Sequence, residues 1–177
     1  MERAEPPLFL VDGYNMIGAW SDLRRTCQRL GFDAARDRLI EQMINFSAYK
    51  EYGTIVVFDA HTQPQPGRCE TITAHLSLYF TEPNETADTY IERRCNEYHR
   101  DLLRHRKRLI VATSDRVQQL TAKGFGAECW SAPMLESAVR QVSQAVRQHA
   151  SRPKTAPTIG ERLKPSVRQQ MNQLRFL

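Results

Sequence analysis

No apolar run in this 177-residue chain approaches the roughly 20 residues that a bilayer-spanning helix needs, so no membrane partner is expected. Cysteine is sparse: Cys27, Cys69, Cys95 and Cys129 stand far apart, without the close pairing of a zinc knuckle or redox motif, which argues for free thiols. A phosphate-cradling loop is missing too. Gly124-Phe125-Gly126 carries neither the lysine nor the serine or threonine that such a loop requires. Nor does any spacing suggest a nucleophilic triad. The stretch Met1 to Pro7 holds two acids and two prolines where a secretory leader would be basic and then apolar, and a cytoplasmic location is expected. What remains is a composition of 41% hydrophobic and 25% charged residues, ordinary for one soluble α/β-sized domain with a proper core.

The net charge of +5 is unevenly placed. From Ser151 to Leu177 six basic residues face one acid, which leaves 19 of each sign in residues 1–150. A domain at 1–150 and a basic extension at 151–177 therefore separate by charge, with Pro153 and Pro157 marking the linker. Inside the neutral body, Arg93, Arg94, Arg100, Arg104, Arg106, Lys107 and Arg108 cluster against Glu97 and Asp101. Such patches attract a polyanion through its phosphates, and they also occur as plain solvated helix faces.

Short apolar runs alternate with helical periodicity. Leu8 to Val11, Thr54 to Phe58, Leu76 to Phe80, Arg108 to Ala112 and Ala127 to Trp130 read as strands. Helices are expected from Asp33, as N-cap, to Lys50; from Glu85 to Arg104, capped by Asn84; from Thr113 or Ser114 to Lys123-Gly124; and from Met134 to His149. His61 to Thr71, with Pro64, Pro66 and Gly67, reads as a loop. The order predicts an α/β fold, a three-layer sandwich around a mostly parallel sheet of about five strands.

Five carboxylates sit at or just beyond strand ends. Asp12 closes the first strand, Asp59 the second, Asp115 follows the fourth, and Glu85 and Asp88 occupy Asn84-Glu85-Thr86-Ala87-Asp88. Ligands of open α/β sheets bind at the carboxyl ends of the strands, so these acids are expected to converge. Glu85 and Asp88, three apart in a first helical turn, would share a face. Converging carboxylates call for a divalent cation, and phosphodiester hydrolysis is the chemistry that follows. Each acid also has a purely structural alternative as a turn or helix cap.

Val11-Asp12-Gly13-Tyr14-Asn15-Met16-Ile17-Gly18-Ala19-Trp20, Val57-Phe58-Asp59-Ala60-His61, Asn84 to Asp88 and Val111-Ala112-Thr113-Ser114-Asp115 together resemble the signatures of the bacterial YacP-like NYN-domain family, within the PIN-like nuclease group. The resemblance implies a Mg2+- or Mn2+-dependent endoribonuclease acting on single-stranded RNA, in a branch associated with ribosomes and mRNA decay. It implies Asp12, Asp88 and Asp115 as metal ligands, with Glu85 as a further catalytic group. Asn15, Asp59, Thr113 and Ser114 would support them, and Arg93, Arg94, Arg100 and Arg104 would hold RNA. Tyr14 and Trp20 are expected in the core or an ordinary loop rather than stacked on bases. The rivals are an inactive RNA- or ribosome-binding module and a phosphatase on small substrates.

Truncation after His149 is expected to weaken RNA association and to flatten its salt dependence, by about 0.7 in log–log slope for each lost phosphate contact on a single strand. An unchanged salt slope would reduce the extension to an aid to solubility.

Overall fold

The computed structural model describes residues 5–59 and 67–151; His61 and the basic extension lie outside the described residues. Strand β1 (Leu8–Asp12) is buried from its second residue to its last. It lies parallel between β2 (Gly53–Phe58) and β5 (Leu109–Ala112), with Leu10 level with Ile55 and Val111. Beyond β2 comes β4 (Leu76–Phe80), and beyond β5 comes β6 (Glu128–Trp130), both parallel to their neighbours. An antiparallel edge strand, β3 (Cys69–Thr73), pairs with β4 and completes the order β3-β4-β2-β1-β5-β6.

The side chains of β1 alternate between two cores, as the period of a strand requires. Phe9 and Val11 face one core, built with Met16, Trp20, Leu23, Leu39, Met43, Phe46, Leu135 and Val139. These belong to α1 (Gly13–Ala19), α2 (Ser21–Leu30), α3 (Phe32–Lys50) and α6 (Ala132–Ser151). Leu10 faces the other core with Ile91, Cys95 and Ala122, from α4 (Ala87–Arg100) and α5 (Arg116–Gly124). This is the expected three-layer sandwich. The residues up to Ala145 form one compact unit, and Val146 to Ser151 are the last turns of α6.

Several local expectations are corrected. The sheet has six strands: β3 occupies part of the stretch read as a loop, because an edge strand of polar and partly exposed residues carries no apolar run to betray it. Two helices, α1 and α2, fill the region after Asp12-Gly13, which reads in isolation as a turn. Helix α3 is preceded by Gly31 at φ 90°, with Asp33 in its first turn rather than at its cap. Helix α4 starts at Ala87, capped by the Thr86 hydroxyl, which accepts from Thr89 N at 3.1 Å; Asn84 sits outside at φ 71°. Glu85 is therefore not a helical residue, and the shared face with Asp88 does not exist. Helix α5 is capped by Asp115 itself, not by Thr113 or Ser114.

Trp20, 1% exposed, donates its indole N–H to the Ala132 carbonyl at 3.0 Å and so ties the α1–α2 junction to α6. Tyr14 stacks on Phe32 with centroids 4.6 Å apart. Both serve packing, as expected of them. Gly13 is required by close approach: a Cβ there would meet the Phe58 ring at 2.2 Å, and Phe58 is itself wedged against Tyr14, Phe32 and Phe80. Gly13→Ala is thus expected to destabilise by about 1–3 kcal/mol through overpacking, despite the better helix propensity of alanine. A melting temperature equal to or above that of the parent protein would refute the clash.

Candidate active site at the carboxyl ends of β1, β2 and β5

The chain leaves β1 toward β2 on one side and returns to β5 on the other, so the order of strands reverses beside β1. Such a reversal opens a crevice outside the carboxyl ends of the strands. Asp12 stands at the end of β1, and Thr113-Ser114-Asp115 follows β5. Asp12 is 2% exposed and accepts twice from Asn15: from its backbone N at 3.0 Å and from its side-chain amide at 2.5 Å. Asn15 Oδ1 in turn accepts from the Ser114 hydroxyl. A polar chain thus links the ends of β5 and β1, with Asn15 orienting Asp12.

Asp59 follows β2 and accepts from the Ala87 backbone N–H at 2.5 Å, at the start of α4. The Tyr14 hydroxyl donates to the Asp59 carbonyl at 3.2 Å. Asp88, in the first turn of α4, accepts from the Gln118 side-chain amide at 2.6 Å. Asp115 accepts from the backbone amides of Val117 at 2.7 Å and Gln118 at 3.1 Å, while its own N–H donates to the Thr113 hydroxyl at 3.0 Å. Thr113 and Ser114 therefore fix the approach of β5 to α5 without capping the helix.

These acids feel one another. Burial raises the pKa of Asp12 above the ordinary carboxylate value; its bonds to Asn15 oppose the rise, and the charges of Asp88 and Asp59 add to it. Asp88 is raised by desolvation and then by the charges of Asp115 and Asp59. Asp12, Asp59, Asp88 and Asp115 form one electrostatic cluster. Glu85 stands apart: its carboxylate accepts from Arg93 at 2.7 Å and from the Tyr79 hydroxyl at 3.1 Å.

The four arginines expected to hold RNA are spread along α4 and beyond. Arg93 is spent on Glu85 and lies over the Tyr90 ring, 5.2 Å from its centroid, and Arg94 pairs with Glu97 at 2.8 Å. Arg100 ends the helix, and Arg104, in a following 3-10 turn, meets His99 Nδ1 at 2.9 Å. With a rise of about 1.5 Å per residue, Arg100 lies roughly 18 Å along the axis from Asp88, toward the opposite end of the sheet.

The chain matches the YacP-like NYN domain over residues 9–176. It belongs to that family. It is 37% identical over 148 residues to the YacP protein of Bacillus subtilis (strain 168), an alignment covering 81% of this chain and 84% of that protein. The crystal structure of Rae1 (YacP) from Bacillus subtilis is similar with a TM-score of 0.69 at 31% identity, over 95% of this chain and 94% of that one. A mutant form of Rae1 gives a TM-score of 0.65 at 31% identity, over 94% and 99% respectively. The NYN family is a family of nucleases, which are generally dependent on a divalent metal.

The donor set here suits such an ion by type: all-oxygen carboxylates are what hard divalent cations bind, and a cation would offset the burial and, after it, the mutual repulsion that hold Asp12 and Asp88 toward protonation. Among the described residues, no three acid, histidine or cysteine groups stand ready to chelate together. The carboxylate oxygens are engaged by amide donors instead. Gln118 is the functional neighbour that the sequence reading missed. Its signal was present, since Asp115-Arg116-Val117-Gln118 has the spacing of a capping box, whose fourth side chain normally turns back to the cap. Here it reaches across to Asp88.

Both acids bind protons more tightly folded than unfolded, so the metal-free protein loses stability as pH rises from the ordinary carboxylate range through the raised folded values. Asp88→Asn is expected to lower the Asp12 pKa by removing a neighbouring charge. Carboxyl-carbon NMR titration reads this directly, and an unmoved Asp12 midpoint would show that the two groups are not coupled.

Proposed function

We propose that the protein is a divalent-metal-dependent endoribonuclease that hydrolyses phosphodiester bonds of single-stranded RNA. The observation that carries this reading is the convergence of Asp12, Asp59, Asp88 and Asp115 on the crevice beside β1, with the charges of the cluster raising Asp12 and Asp88. Membership of a nuclease family supplies the reaction class. Asp12, Asp88 and Asp115 are the residues that would hold Mg2+ or Mn2+, and the ion would supply an activated water and charge stabilisation at the phosphate.

The chain's own groups do the rest. Asn15 holds the Asp12 carboxylate by two bonds and is itself held by Ser114, so Asp12 is oriented before any ligand arrives. Asp59 anchors the first turn of α4 and thereby the position of Asp88. Glu85, neutralised by Arg93, contributes by holding the segment before α4 rather than by touching the reacting atoms. Exposed Arg100 and Arg104, far from the acids, suit a strand that runs along α4, where phosphates meet cations away from the cut.

Purified protein with Mg2+ or Mn2+ is expected to cut single-stranded RNA and to stop in excess chelator. Asp88→Asn and Asp115→Asn should lower the rate on the order of 10²–10³-fold, and Asn15→Ala about 10–100-fold as a supporting residue, all with unchanged circular dichroism. Glu85→Gln should cost far less than Asp88→Asn. RNA binding without any cutting, in either metal, would leave the inactive binding module as the function.

A further inference from the structure

Helices α4 and α5 flank a half-open pocket of ≈ 170 Å³ that includes Asp88 and Asp115 among its lining residues. Its apolar lining is buried Ile91, Cys95 and Ala122 with exposed Val117 at the rim, and its polar groups are Asp88, Glu92, Asp115, Gln118 and Thr121. None of these lining residues is cationic. A phosphate would therefore be repelled, whereas a neutral ring would find apolar walls. A cavity of about 150 Å³ lined by apolar side chains accommodates benzene, so this one suits a single six-membered ring and is small for a whole nucleotide.

The pocket's hydrogen-bonding character is equally one-sided. Three carboxylates and the Thr121 hydroxyl present acceptors. Gln118, only 8% exposed, gives its amide N–H to Asp88 and is left with a buried Oε1 that has no partner. An unpartnered buried acceptor costs stability unless a ligand or water satisfies it. The complement of such a pocket is a flat, uncharged single ring that carries an exocyclic amine at its edge.

We propose that the α4–α5 pocket binds a cytosine base of the RNA substrate, next to the phosphate at the acids. This rests on the nuclease reading for the identity of the ligand, while the pocket's chemistry stands on its own. Cytosine offers an exocyclic amine to carboxylate acceptors, a recognised pairing. Uracil places a carbonyl at that position and is turned away by the same groups. Glu92, on the exposed wall and outside the acid cluster, is the specificity-determining residue.

The test has two parts. Metal-free protein is titrated with cytidine, uridine and adenosine, nucleosides without phosphate, and the methyl resonances of Ile91, Val117 and Ala122 are followed by NMR. Cytidine should shift them at concentrations at least about 5-fold below uridine, the lower end of what one specific base contact discriminates. In the second part, single-stranded RNAs differing by one C-to-U change beside the cut are compared for wild type and Glu92→Gln. The wild type should favour cytosine, and Glu92→Gln should bring the ratio close to one. Equal shifts by cytidine and uridine, a preference for adenosine, or an unchanged ratio in Glu92→Gln would overturn the proposal. If cytidine binds selectively but no RNA is cut, the pocket assignment holds and the nuclease reading alone fails.

Discussion

Four carboxylates crowd one edge of a sheet, and the rest of the site is arranged so that they remain there. Each is held by N–H donors that belong to a neighbouring element: Asp12 by Asn15, Asp59 by Ala87, Asp88 by Gln118, and Asp115 by Val117 and Gln118. Three helices, α1, α4 and α5, begin at this edge. Their free amides and positive dipole ends offset part of the repulsion. A capping role and a chemical role are therefore not alternatives for Asp12 or Asp115. The cap is what allows a charged group to sit where a ligand can use it.

The same constraint sets the polarity of the molecule. Helix α4 carries Asp88 at the crevice edge and Arg100 at its far end, beyond which Lys107 pairs with Asp101 at 2.9 Å and Arg108 with Glu128 at 2.7 Å. Much of the basic cluster is thus engaged in local pairs, which are worth little in stability at an exposed surface. A substrate strand would meet neutral or acidic surface at the crevice and positive surface only beyond it.

Much of this was legible from the amino-acid sequence because it follows apolar runs. Strands β1, β2, β4 and β5 are buried and announce themselves, and so do the acids at their ends. Strand β3 could not be read this way, since Cys69-Glu70-Thr71-Ile72-Thr73 borrows its order from the hairpin with β4. Helices α1 and α2 were hidden by Asp12-Gly13, although Met16, Ile17, Trp20 and Leu23 already follow a helical stripe. The capping-box spacing marks Gln118 but not its partner, because Asp88 lies 30 residues away on another helix.

Spacing puts Glu85 on one helical face with Asp88, and the family resemblance gives Asp59 a supporting role beside them. The start of α4 changes the local partners of both. Because the helix begins at Ala87, Glu85 lies on the incoming segment, within reach of Arg93 two turns ahead and of Tyr79 on β4. Its charge is thereby compensated, and no effect of it reaches Asp12 or Asp88 among the causes that raise them. Asp59 instead receives the first amide of α4 and adds its charge to both of those acids. Asp59 thus shares the charge burden of Asp12 and Asp88, whereas Glu85 is already neutralised by Arg93.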